Sequence, residues 1–385
     1  MPWKETDVMD LRKEFMSKVK NEEAAFAQLC RQYGISTKTG YKWRNRFDEL
    51  GDQGLRDRSR RPRTVPNALG ESVVCALVNI KVAHSAWGPP KILDTYIKAH
   101  TGAKVSLTSV KRVLNKAGLV KRRRRRPHNA CGRLQTDVDV QAPNQLWTVD
   151  FKGWWYSSDR ERIEPLTVRD AYSRYLLCIQ AVPKATYEIV KEAFHRLFET
   201  YGLPDAIRSD NGPPFACMNS PLGLTRLSAW WVALGISLDR IQPGHPEQNG
   251  AHERLHLDMA NELEGHVQGG VVEHQAAFDV WRNVFNDDRP HEALGMKRPS
   301  EIYRKSERKY ESGDFQIDYP LEYAKRLVSK SGTIRIDNCR IPISTAIGAW
   351  HVGLKKTGAS CYSVWLGSLY LGSINLETQS FVVAR

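Results

Sequence analysis

The stretch Leu146–Trp155, Leu-Trp-Thr-Val-Asp-Phe-Lys-Gly-Trp-Trp, constrains this chain more than any other. Apolar, β-branched and aromatic residues surround one carboxylate, Asp150, in what reads as a buried strand. A buried carboxylate must be paired, hydrogen-bonded or set against a cation, because leaving it bare is costly. Two later stretches supply companions. Ala206–Gly212 reads as a short strand running into a turn, with Asp210 at its end. Pro243–Met259 reads as a turn entering a helix, with Glu253 in its first turns. Two strand ends and one helix start can bring three carboxylates together. That oxygen-only donor set is what a hard divalent cation such as Mg²⁺ requires. Glu247 competes for the third place, but it precedes the helix and would point away unless its loop folds back.

Charge points the same way. The 385 residues hold 57 Lys plus Arg against 43 Asp plus Glu, a net of +14. Such an excess favours a polyanionic partner, since each phosphate contact releases counterions. A merely soluble basic protein is the plainer alternative. The 7 cysteines are odd in number and scattered, with no spacing for zinc or a disulfide framework. No run approaches the ~18 apolar residues of a membrane span, and no signal peptide is read. The expectation is a reduced, cytoplasmic protein without a membrane partner.

Residues 1–52 read as helices around a turn. Phe26, Leu29, Cys30 and Tyr33 share one face, Gly34 suits a left-handed turn and Ser36 an N-cap. The next helix carries Lys38, Lys42, Arg44 and Arg46, which is helix-turn-helix grammar with a basic second helix. Residues 53–66 form an Arg-rich linker, with Arg58, Arg60, Arg61 and Arg63 suited to a minor groove. Residues 67–127 repeat the helical pattern. A helix starts near Pro89, and another over Ser106–Leu119 turns Val110, Val113 and Leu114 inward and Lys111 and Arg112 outward. Then comes a run of six cations that includes Arg122, Arg123 and Arg124, exposed whether or not DNA fills it. Residues 128–308 mix strand and helix signals: a strand over Gln145–Tyr156, two more in a meander, then helix and strand in alternation. A mixed sheet covered by helices follows. After a linker at 309–325, short strands over 326–385 predict a small SH3-like β-barrel with Trp350, Tyr362, Trp365 and Tyr370 in its core.

The chain resembles the integrase-core DDE transposases of bacterial insertion sequences, with a retroviral-integrase-like catalytic domain. The motifs are Trp147-Thr148-Val149-Asp150, Ser209-Asp210-Asn211-Gly212, Gln248-Asn249-Gly250-Ala251-His252-Glu253-Arg254 and the Asn286–Pro299 segment. The resemblance implies an RNase H-like core in which Asp150, Asp210 and Glu253 are both the catalytic residues and the metal ligands. It further implies two Mg²⁺ ions, replaceable by Mn²⁺, and Mg-dependent cleavage and strand transfer by in-line phosphoryl transfer. The implied partners are double-stranded DNA, as terminal inverted repeats and target, and further copies of the chain in a dimer or tetramer on DNA, at the bacterial nucleoid. Two departures stand out: Asp210 and Glu253 are farther apart in sequence than is usual, and Ala260 stands where the family commonly has Lys or Arg.

Asn211 and Gln248 are expected as supporting residues. Asp170 reads as structural, bound to Arg174 or a turn amide. His252 and His256 read as exposed residues on a helix face, with phosphate contact as the alternative. Trp154 and Trp155 read as sheet packing. Two other functions compete with the transposase: a catalytically silent DNA-binding regulator and a structure-specific nuclease.

Overall fold

The first helices form where the amphipathic spacing places them: α1 (Val8–Lys20), α2 (Phe26–Gln32) and α3 (Thr37–Leu50). The computed structural model describes residues 7–59, 68–120, 139–217, 220–242, 246–313 and 316–384, less the side chains of residues 246 and 247. Phe15, Met16, Leu29, Cys30, Trp43 and Leu55 make the core of these helices. Gly34 turns the chain at φ +65°, a value costly for any residue with a Cβ. The Ser36 hydroxyl accepts the Thr39 amide at 3.2 Å and so caps α3. Met1–Ala68 is one compact unit and Leu69–Arg385 the other.

The second unit opens with α4 (Glu71–Ala83), α5 (Pro89–Ala99) and α6 (Leu107–Lys116). They close around Leu77, Trp87, Ile92, Tyr96, Val110 and Leu114. Pro89 stands in the first turn of α5, and the Ser106 hydroxyl caps α6 by accepting the Ser109 amide.

The sheet that follows has six strands: β1 (Leu146–Phe151), β2 (Trp155–Tyr156), β3 (Arg162–Asp170), β4 (Leu176–Val182), β5 (Ala206–Ser209) and β6 (Ser237–Arg240). β1, β3 and β4 pair antiparallel; β5 then joins β1 in parallel and β6 joins β5 in parallel. The order β4-β3-β1-β5-β6, with β2 beside β3, is the RNase H-like topology. The single strand expected over Gln145–Tyr156 is instead two, broken where Gly153 takes φ +88°. Trp147 and Val149 enter a core shared with α7 (Tyr187–Tyr201) and α8 (Arg226–Ala233). Alternation along β1 sends Thr148 and Asp150 to the opposite face. That face is covered by α9 (Gly250–Glu262) and α10 (Val271–Asn283) through Leu255, Met259, Phe278 and Trp281.

After α11 (Pro299–Ile302) the described residues hold strands and one short 3-10 turn at Thr345–Ile347. The strands β7 (Ala324–Leu327), β10 (His351–Lys356), β11 (Cys361–Leu366), β12 (Leu369–Asn375) and β13 (Ser380–Val383) form a five-stranded sheet, and β8 (Thr333–Ile336) pairs with β9 (Cys339–Pro342) as a hairpin. Both sheets are open among the described residues, so the expected barrel closure is not seen. The hairpin packs on the sheet through Ile334, Ile336 and Ile341, by side chains rather than a continuous ladder. The aromatic core expected there also gives way. Val352, Leu354, Val364, Leu366 and Ile374 fill it, while Tyr370 is exposed, its ring tilted against that of Trp365 at 5.0 Å. Aliphatic side chains fill the centre between strands this short, and half-buried Trp350 and Tyr362 pack against its edge.

Candidate active site

The parallel register sets the site. Leu146 pairs with Ala206, Trp147 with Ile207 and Thr148 with Arg208. Continued along the two strands, that register brings Asp150 beside Asp210 at the strands' shared carboxyl ends. Burial first, and then the charges of Asp210 and Glu253, push the Asp150 carboxyl up to about 6. Asp210 lies at the mouth, open to solvent on one side. Its pKa is also raised by partial burial, against the Gly212 amide and Arg240, which both lower it.

Glu253 sits in the first turn of α9 and is exposed. It reaches Asp150 electrostatically. The three carboxylates nevertheless do not form a cage: among the described residues no three His, Cys, Asp or Glu side chains stand close enough together to hold a metal ion. The fold thus brings Asp150 and Asp210 to neighbouring strand ends and leaves Glu253 at the rim. The donor chemistry does fit a hard cation, since all three offer only oxygens and Asp150 is half-buried next to a second carboxylate.

The turn that delivers α9 is stitched to the strand ends. Asn211 donates its side-chain amide to the Ile241 carbonyl at 2.7 Å. The Gln248 carbonyl oxygen Oε1 accepts the Gln242 amide at 2.9 Å. Arg208, buried on β5, binds Asp239 through Nε at 3.0 Å and Nη2 at 2.6 Å, and turns Nη1 toward the Gln248 carbonyl at 3.4 Å. The Asn249 side-chain amide donates to Asp150 Oδ2 at 2.6 Å.

His252, His256 and Trp154 differ from their expected places, while Asp170 keeps its own. His252 is only 1% exposed, and both it and the half-buried His256 turn inward onto Thr167 of β3, away from any phosphate. Asp258 is also internal, bound by Arg289 and by Arg254 at 3.2 Å, so it anchors α9 rather than adding charge to its surface. Asp170 accepts the amides of Asn144 and Ser173, each at 2.7 Å, and is a turn residue. Trp155 is packed in the core, but Trp154 is 53% exposed with the Arg162 guanidinium over its ring. Asn249, Arg208 and Thr167 were not foreseen.

Lys38, Lys42 and Arg44 are exposed on α3 and Arg46 is half-buried; Arg58 is exposed beyond it, and Lys111 and Arg112 are exposed on α6. Lys42 and Arg46 lie over the Trp43 ring at 4.7 and 5.2 Å. Arg60, Arg61, Arg63, Arg122, Arg123 and Arg124 lie outside the described residues.

Known proteins align with these parts. Residues 140–246 and 234–299 each match an integrase core domain. Residues 39–114 match a homeodomain-like domain and 12–63 a helix-turn-helix domain. The chain is 31% identical over 195 residues to the insertion element IS407 31.7 kDa protein of Burkholderia multivorans, covering 50% of this chain and 68% of that one. It is 26% identical over 250 residues to the insertion element IS476 39.2 kDa protein of Xanthomonas euvesicatoria, covering 65% and 69%. Among solved structures it is similar to the catalytic core domain of BIV integrase, at 23% identity and a TM-score of 0.32 over 42% of this chain and 93% of that one.

Proposed function

The chain belongs to the integrase-core family of insertion-element proteins, and from that premise we propose that it is a DDE transposase that cuts its element's ends and joins them to target DNA. The observation that carries this reading is the strand register that sets Asp150 beside Asp210, with the helix bearing Glu253 starting against them. Asp150, Asp210 and Glu253 would hold divalent metal, Mg²⁺ or Mn²⁺, as two ions per site. When bound, such ions supply Lewis acidity for an in-line displacement at phosphorus. The chain's own part is to hold the carboxylates. β1 and β5 fix two of them, and the Arg208–Asp239 pair with the Gln248 and Asn211 contacts fixes the turn that presents the third. The exposed cations of α3 and α6, the Arg-rich linker and the run that includes Arg122–Arg124 would read and strap the terminal repeats. Two ends meeting one target require two or four copies of the chain on DNA.

The test is one assay with full-length protein, a terminal DNA fragment, Mg²⁺ and a supercoiled target. Joined products that vanish in Asp150→Asn, Asp210→Asn and Glu253→Gln, with end binding retained, support the transposase. Binding without cleavage in the unaltered protein makes it a silent regulator. Cleavage without joining makes it a nuclease. Mn²⁺ should replace Mg²⁺, while Ca²⁺, with its longer and looser ligand shell, should permit assembly without turnover. Removing metal with chelator should stop both steps. Activity in Glu247→Gln and none in Glu253→Gln is expected; the reverse would overturn the assignment of the third ligand.

A further inference from the structure

Thr167 lies directly opposite Asp150 in the β1–β3 ladder. Its hydroxyl donates to the Asp150 carbonyl at 2.9 Å. The Nε2 atoms of His252 and His256 lie 3.0 and 2.9 Å from the Thr167 hydroxyl oxygen. A hydroxyl has one hydrogen and two lone pairs. With the hydrogen spent on Asp150, both lone pairs must accept, so both imidazoles present Nε2–H. His252 Nδ1 is then a bare acceptor, and it is buried without a partner.

The two histidines are one turn apart on α9, on the stripe that also carries Leu255 and Met259. Packing alone would be served by aliphatic side chains there, as it is at Leu255 and Met259. A buried polar cluster costs desolvation that only complete hydrogen bonding offsets. This one joins two elements whose ends carry catalytic carboxylates.

Resting on the transposase reading, we propose that Thr167 is a positioning residue, clamped by His252 and His256, which ties the strand of Asp150 to the helix of Glu253 and so fixes the separation of the two carboxylates. The lock is hydrogen-bonded rather than steric. Thr167→Val keeps the shape and loses the hydroxyl; Thr167→Ser keeps the hydroxyl and loses a methyl.

The experiment measures end cleavage by the full chain with Mn²⁺, resolved into kcat and KM for the terminal DNA. It also measures Mn²⁺ binding to the DNA-free protein by calorimetry. Thr167→Val is expected to lower kcat by roughly ten- to a hundredfold with KM unchanged, since sub-ångström errors in reacting geometry have effects of that order. It should also weaken Mn²⁺ binding. Thr167→Ser should restore both. Should Thr167→Val fail to fold, His256→Leu removes one donor from the half-buried position and His256→Gln supplies an amide donor in its place; the first should lower kcat and the second recover it. Wild-type kcat in the valine or leucine variant, or a serine variant as impaired as the valine, overturns the proposal while leaving the transposase reading standing. An inactive unaltered protein overturns that reading instead.

Discussion

Asn249 gives its side-chain amide to Asp150 at 2.6 Å although it stands at the cap position of α9, where an Asn ordinarily bonds its own helix. The helix leaves its cap unmade and stabilises a half-buried carboxylate instead. Asn249→Ala should therefore lower stability by about 1–2 kcal/mol, the order expected when a half-buried acceptor loses a donor. It should also push the Asp150 carboxyl further above the ordinary range, because the one side-chain hydrogen bond lowering it would be gone. Chemical denaturation and NMR titration of the labelled aspartate check the two effects. No change in either would mean that the contact does not persist in solution.

A second prediction concerns Arg208 and Asp239. Their side chains are 8% and 18% exposed, so neither charge is well solvated alone. Breaking such a pair from one side costs about 3–5 kcal/mol, because a buried charge is left behind. Arg208→Met is expected to lower the melting temperature sharply, and Arg208→Met with Asp239→Leu to recover much of the loss. A double variant no better than the single one would show that Arg208 acts mainly through the Gln248 carbonyl.

Much of this site was legible in the sequence. Asp150 is the lone carboxylate in an apolar run, and Asp210 follows directly on a short strand, so both fall near a strand end. Ser36, Ser106 and Pro89 marked helix starts because their chemistry is local. The inward turn of His252 and His256 was less evident, although His252, Leu255, His256 and Met259 follow a helical stripe. Periodicity shows that the four share a face; which neighbour makes two imidazoles tolerable there depends on Thr167, 85 residues before His252. The open C-terminal sheets escaped for a related reason. Turn spacing announces short strands, but closure depends on main-chain pairing between β7, β13 and the β8–β9 hairpin, which no local pattern records.

The third prediction concerns acid. Burial first, and then Arg289, Lys91 and Arg174, push His291 down to about 3, against a raising backbone contact at Phe285. The unfolded chain binds this proton at the ordinary value of about 6.5. As pH falls, the unfolded state is protonated first, so the stability His291 allows at neutral pH is lost between about 6.5 and about 3. Linkage puts the loss at about 2 kcal/mol by pH 5. Glu262, whose pKa is raised chiefly by burial, takes up its proton more readily when folded and opposes this slope. The contribution of His291 must therefore be read as a difference. Denaturation of the unaltered protein and His291→Asn from pH 7 to pH 5 should show their stability gap moving in favour of the variant as pH falls. A constant gap would show that His291 titrates alike in both states.

The last prediction concerns the contact between α5 and the end of the core. Arg298 meets Asp94 at 3.2 Å, with side chains 12% and 19% exposed, and Lys98 meets Glu301 at 3.5 Å. Val284, just past α10, packs against the cluster of Leu77, Trp87 and Ile92. Charge and apolar contact thus both tie the second helical module to the catalytic core. Burial raises the Asp94 carboxyl while Arg298 lowers it, so the pair is held by a partner and not by solvent. Arg298→Asp would set three carboxylates against one another, Asp94, Glu301 and the new residue, with Lys98 alone among them. Hydrogen exchange of α5 should quicken. Asp94→Arg together with Arg298→Asp restores opposite charges and should return α5 to near its original protection. The coupling energy from the four proteins should be about 1 kcal/mol or more and should shrink in high salt. Effects that add to within about 0.5 kcal/mol would mean the two residues do not meet in solution. In that case the helical module moves independently of the core, and a terminal repeat gripped by α6 would not be held at a fixed distance from Asp150.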